Sequence, residues 1–105
     1  MKLYEIAHSR AGDKGNTLIL SVIPYDEGDY PFLCRLVTAE KVARHFEGRI
    51  LGNIVRYEMP NVCALQFVCR QALAGGVTTS LVMDTHGKTM SYALLEMEIF
   101  ESDSL

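Results

Sequence analysis

The stretch TLILSVIP, residues 17–24, most constrains what this chain can fold into. It is built from β-branched and aliphatic residues and stops at Pro24, so it reads as a strand. Before it, KLYEIAH (2–8) alternates loosely, with Leu3, Glu5 and Ala7 against Tyr4, Ile6 and His8, and reads as a first strand. The segment that joins them, HSRAGDKGNT (8–17), is the densest polar stretch of the sequence. Whether it is only a turn or a place of contact is the main functional question the residues raise.

From Tyr30 the periodicity becomes helical. Pro31 suits a first helical position, and Leu33, Leu36 and Val37 share a face. Thr38 reads as a fresh N-cap with Glu40 in the first turn, and Gly48 as the left-handed stop. Residues 31–47 are therefore one bent helix or two short ones. ILGNIVRYEM (50–59) sets Val55, Tyr57 and Met59 against Arg56 and Glu58, as in a half-buried strand. Pro60 ends it. With Asn61 as cap, VCALQFVCRQALA (62–74) places Val62, Leu65, Cys69, Ala72 and Leu73 near one face and reads as a helix closed by Gly75-Gly76.

VTTSLVMD (77–84) alternates and reads as a strand, and DTHG (84–87) as a tight turn. The tail carries two patterns. Met90, Ala93, Leu94 and Met97 fit a helix, whereas Leu95, Met97 and Ile99 fit a strand; the reading adopted is a helix over about 88–95 and then a short strand. This order of elements implies a single α+β domain over residues 1–105, with helices covering one face of a mostly antiparallel sheet. The other face would need a partner or a second copy, because its outward strand residues are too apolar for water.

At 105 residues the chain suits one domain with a core of its own. A net charge of −3 argues against nucleic acid, and Arg35, Lys41, Arg44, Arg49 and Arg56 read as part of a mixed solvated face. Three cysteines, Cys34, Cys63 and Cys69, without pairable spacing argue against a disulfide framework and for the reducing cytoplasm. Glu5 interrupts any signal-peptide core, and no apolar run approaches the roughly 18 residues of a membrane span. His8, His45 and His86 lie far apart, so neither a metal nor a cofactor is expected.

The joining segment has two readings. As a hairpin loop, its glycines supply positive φ and its charges are solvated. As a site, Gly12 and Gly15 would turn backbone N–H groups toward an anion, Arg10 and Lys14 would add charge, Asp13 would pin the loop, and His8 would act near pH 7. The order Lys14-Gly15 reverses that of a phosphate-binding Walker loop. No nucleophile elbow is present, so catalysis by this chain alone is not expected.

AHSRAGDKGNT, YPFLCRLVTAEKVARHFEGRI, VRYEMPNVCALQFVCRQALAGGVTTSLVMDTHGKT and ALLEMEI together resemble the AtuA-like domain of the acyclic terpene utilisation family, over nearly the whole chain. The most specific parts are Arg10 with Gly12-Asp13-Lys14-Gly15-Asn16, the Pro60-Asn61 step, and Gly75-Gly76-Val77-Thr78. The resemblance implies a ferredoxin-like fold and a role in catabolism of branched terpenoid acids as coenzyme A thioesters. In that family the domain usually ends a much larger protein, so this chain is expected to be a stand-alone accessory subunit that docks on a separate large partner and completes a site there with the anion-binding Arg10–Asn16 loop. The alternative is a small homo-oligomeric module that binds an anionic metabolite such as an acyl-CoA. The expected ligand contacts are His8, Arg10, Gly12, Asp13, Lys14, Gly15, Asn16 and Asn61. Family members often carry Ser where Ala11 stands, so no hydroxyl role is expected there.

Overall fold

The computed structural model describes residues 1–15, 17–50, 52–70 and 80–99. Strands β1 (Ala7–Lys14) and β2 (Thr17–Pro24) form an antiparallel hairpin; helices α1 (Tyr30–Leu36) and α2 (Ala39–His45) follow; β3 (Ile54–Met59) and β4 (Ala64–Cys69) form a second hairpin; α3 (Ser80–Leu95) completes the order. The four strands make one sheet in the order β1-β2-β4-β3, with every neighbouring pair antiparallel. This is the α+β, ferredoxin-like arrangement expected from the sequence.

Strand alternation builds the core. On β2, Leu18, Leu20 and Val22 are fully buried and the residues between them half-buried. Their partners across β4 are Cys69, Phe67 and Leu65, which share that face and are equally enclosed. Leu33 and Leu36 of α1, Val42 of α2, and Met90 and Leu94 of α3 join the same cluster. All three helices therefore lie on one face of the sheet.

Several local expectations hold. Thr38 Oγ1 accepts a hydrogen bond from the Lys41 amide at 3.2 Å and separates two short helices. Gly48 takes φ +86° just beyond α2. The tail ends in a single antiparallel bridge between Lys2 and Glu98, supported by the Leu3 amide on the Met97 carbonyl at 2.9 Å.

Other expectations are corrected. Residues 62–74 are not a helix over the part described. Pro60–Val62 is a 3-10 turn, Cys63 is left-handed at φ +50°, and Ala64–Cys69 is strand β4. Asn61 consequently sits in a hairpin loop and caps no α-helix. Of the strand expected over 77–84, residues 77–79 lie outside the described residues; from Ser80 onward the backbone is helical, and α3 runs through the expected turn at 84–87. Leu3–Glu5 is a 3-10 helix, so the first strand starts at Ala7 and takes in most of the polar segment.

Arg56 is not part of a solvated basic face. It lies on the helix side of β3 and donates to the Cys34 carbonyl at 2.7 Å and the Val37 carbonyl at 3.1 Å, where α1 ends and its carbonyls lack intrahelical partners. Glu58 holds the same guanidinium at 2.8 Å. His45 Nε2 donates to the Ala93 carbonyl at 2.7 Å and ties α2 to α3.

Candidate functional site

The polar segment is strand rather than turn. His8 to Lys14 lie in β1, in register with Ile23 to Thr17. Gly12 has no positive φ whereas Gly15 has one (φ +62°), so the two glycines make no Gly-x-x-Gly nest. Residues opposite one another share a face, which divides the segment. Ser9, Ala11 and Asp13 pair with Val22, Leu20 and Leu18 on the helix side; His8, Arg10 and Gly12 pair with Ile23, Ser21 and Ile19 on the other. The structure thus brings Arg10 and His8 onto one face and sets Asp13 on the opposite one. Lys14 and Gly15 lie at the hairpin end, and Asn16 is outside the described residues. Asn61 joins β3 to β4 at the far end of the sheet, where Met59 pairs with Ala64, so the eight expected contacts do not converge on one point.

The sequence led to an uncovered apolar face opposite the helices but not to the residues that form it. There, Ile19 pairs with Val68 and Val68 with Val55, and Ser21 pairs with Gln66 and Gln66 with Tyr57; Ile23 and Met59 complete the surface. Val55, Tyr57 and Met59 are 42%, 52% and 39% exposed. No described strand residue on this face carries a carboxylate, and its basic groups among the described side chains are Arg10 and His8, the latter stacked on Tyr25 at 5.5 Å between ring centroids. Apart from the Ser21–Gln66 pair the surface is apolar, and monomeric proteins seldom leave large apolar patches in water. The signal was present in β3, whose alternation already placed Val55, Tyr57 and Met59 together.

On the helix side, β1 is an edge strand. A cleft of about 310 Å³ runs between it and α3, lined by residues 9–13 with Lys88, Ser91 and Tyr92. The Ser9 hydroxyl is enclosed there without a hydrogen-bond partner. A second cleft, of about 430 Å³, lies between Lys2, Lys41, Arg44 and Glu96–Glu98. Its charges pair among themselves: Lys2 lies 3.8 Å from Glu96 and 3.5 Å from Glu98. The Met1 amino group, 3.2 Å from Glu98, holds that carboxyl below its usual range.

Burial pushes the Cys69 thiol up to about 12 and the Tyr30 phenol also up to about 12. Because the folded thiol keeps its proton above the ordinary value of 9.0, its contribution to stability is complete below about pH 9 and lost as pH rises toward about 12. The urea midpoint of the wild type should therefore fall more steeply over pH 9–11 than that of Cys69→Ala, with a difference of at most about 1.4 kcal/mol per pH unit. Parallel slopes would show that the thiol is not enclosed. Among the described residues no cluster of His, Cys, Asp or Glu could hold a metal ion, and no helix is long and apolar enough to cross a membrane.

Compared with known proteins, residues 1–100 match the family described as the AtuA ferredoxin-like domain. No curated protein and no solved structure matches the chain.

Proposed function

The chain belongs to the AtuA ferredoxin-like domain family, and we propose that it is a non-catalytic accessory domain that docks on a large partner through the uncovered face of its sheet. The observation that carries this reading is the apolar surface from Ile19 and Ile23 through Val68 to Val55, Tyr57 and Met59, which nothing in the described chain covers. The occupant is the large AtuA-type component that longer family members are expected to carry in the same chain. A surface of two apolar rows on either side of the Ser21–Gln66 pair, with Arg10 and His8 on one border, fits a partner whose apolar patch carries a central hydrogen-bonding group and an acidic rim. The process served is catabolism of branched or terpenoid acyl-CoA in the cytoplasm, where Cys34, Cys63 and Cys69 stay reduced.

Co-expression with a large AtuA-type protein, followed by size-exclusion chromatography, tests the reading. The two should co-elute. Tyr57→Glu, at an exposed position, should abolish co-elution and leave the melting temperature within about 2 °C, because surface substitutions cost about 0.5 kcal/mol or less. Independent elution of the wild-type pair, or retention of the complex by Tyr57→Glu, would overturn it.

A second reading is favoured by Arg10 and His8 sharing a face: the domain holds an anionic metabolite such as an acyl-CoA there, with Lys14 at the adjoining hairpin end. A saturable rise in melting temperature with coenzyme A, lost in Arg10→Ala, would establish it in place of the first.

A further inference from the structure

We propose that two copies of this chain pair edge to edge through β1, antiparallel and centred on Ala11, to make one continuous eight-stranded sheet. Among the described residues β1 has a strand neighbour on one side only, which leaves half of its backbone N–H and C=O groups facing outward. It is eight residues long and contains no proline. Edge strands are usually blunted by bulges, prolines, charged side chains or covering loops; β1 carries the charges Arg10, Asp13 and Lys14 but no proline and no bulge in its pairing with β2. Here Ala11, Gly12 and Asp13 are exposed instead, on the border of the cleft against α3.

The register follows from symmetry. A two-fold axis normal to the sheet preserves its faces, so only residues of like parity can oppose one another. Centring on Arg10 sets Arg10 against the partner's Arg10. Centring on Gly12 sets Arg10 against the partner's Lys14. Centring on Ala11 sets Ala11 against itself, Arg10 against Gly12 of the partner subunit, and Ser9 against Asp13 of the partner subunit; His8 and Lys14 meet at the ends. Only the last places small residues on the axis and gives Arg10 an uncharged neighbour.

That register also accounts for two features of a single chain. Ser9 and Asp13 both lie on the helix side. The Ser9 hydroxyl has no partner where it is enclosed in the single chain; turned outward in the dimer it would donate to the carboxylate of the partner's Asp13, and the same bond would form twice by symmetry. Tyr92, 68% exposed on the border of the cleft, would face the partner's α3 across the axis. The docking surface proposed above lies on the other side of the sheet, so pairing doubles it and does not block it.

Light scattering after size exclusion should give twice the chain mass at 50 μM. Ala11→Cys should cross-link to a covalent dimer under mild oxidation, because residues opposed across strands lie about 4.5–5.5 Å apart between Cα atoms, within disulfide range. Wild type and Gly12→Cys should not cross-link; Gly12 has open space for a side chain. Asp13→Ala should raise the dimer dissociation constant at least tenfold, and Tyr57→Glu should leave it unchanged. A monomer at 200 μM would overturn the proposal. So would a dimer that Ala11→Cys fails to cross-link, or one that Tyr57→Glu dissociates, since either places the interface elsewhere.

Discussion

Phe67→Ala is expected to remove about 3–5 kcal/mol of stability. Phe67 is fully buried on β4, a central strand, opposite Leu20 of β2 and Arg56 of β3. Its ring lies between the sheet and the helices, and β4 is held on both sides, so the site cannot collapse to fill the void. A domain of this size has about 5–15 kcal/mol in total. The variant should therefore melt far below the wild type or populate the unfolded state at 37 °C. Val55→Ala, on the exposed face, is the control and should shift stability by about 0.5 kcal/mol or less. Urea melts of the two check the contrast, and a Phe67→Ala cost below about 1 kcal/mol would mean that the ring is not a core element.

Gly52→Ala should cost about 1–3 kcal/mol, although it adds one methyl group. A Cβ at Gly52 would lie 2.7 Å from the Arg70 carbonyl oxygen and 2.9 Å from its carbon, and backbone cannot swing aside as a side chain does. The Gly52 amide donates to that carbonyl at 3.1 Å, and the Arg70 amide donates to the Asn53 carbonyl at 3.0 Å. The two bonds extend the β3–β4 ladder beyond Ile54 and Cys69, so a shift to relieve the clash weakens both. A melting temperature lowered by about 5 °C or more is the expected result. An unchanged value would show that the strand entry is free to move. Gly12→Ala, with open space around it, should be tolerated far better.

The ease with which each part could be read from sequence follows the environment of its backbone. β2 alternates between a fully buried and a half-buried face, and its period of two is visible in TLILSVIP. α1 and α2 carry their own punctuation in Pro31, Thr38 and Gly48. β4 hid itself because it is central. Leu65, Phe67 and Cys69 face the helices while Ala64 and Val68 face the other side, so apolar residues occur on both faces and mimic a helical stripe. The local turn signal DTHG lost to the longer helix, which accommodates Gly87 in its interior at a propensity cost of about 1 kcal/mol.

The polar segment was the most instructive misreading. His8–Lys14 has the composition of a loop because it is an edge strand: its charges and glycine mark the margin of a sheet, and the register with β2 decides its conformation. Once extended, alternation sends neighbours to opposite faces, so residues adjacent in sequence cannot act together as a loop would allow. The uncovered face could be sketched from β3 alone, but its extent needed the strand order β1-β2-β4-β3, which no local pattern encodes.

The central claim is that this uncovered face is the working surface. Hydroxyl-radical footprinting tests it most directly, because Tyr57 and Met59 are both oxidisable and both exposed, while Met97 is buried and serves as an internal reference. In the complex with the large AtuA-type partner, oxidation of Tyr57 and Met59 should slow at least fivefold, with Tyr92, 68% exposed on α3 and so on the helix side, little changed. If Tyr57 and Met59 are oxidised in the complex as fast as in the free chain, the face is not where this domain does its work.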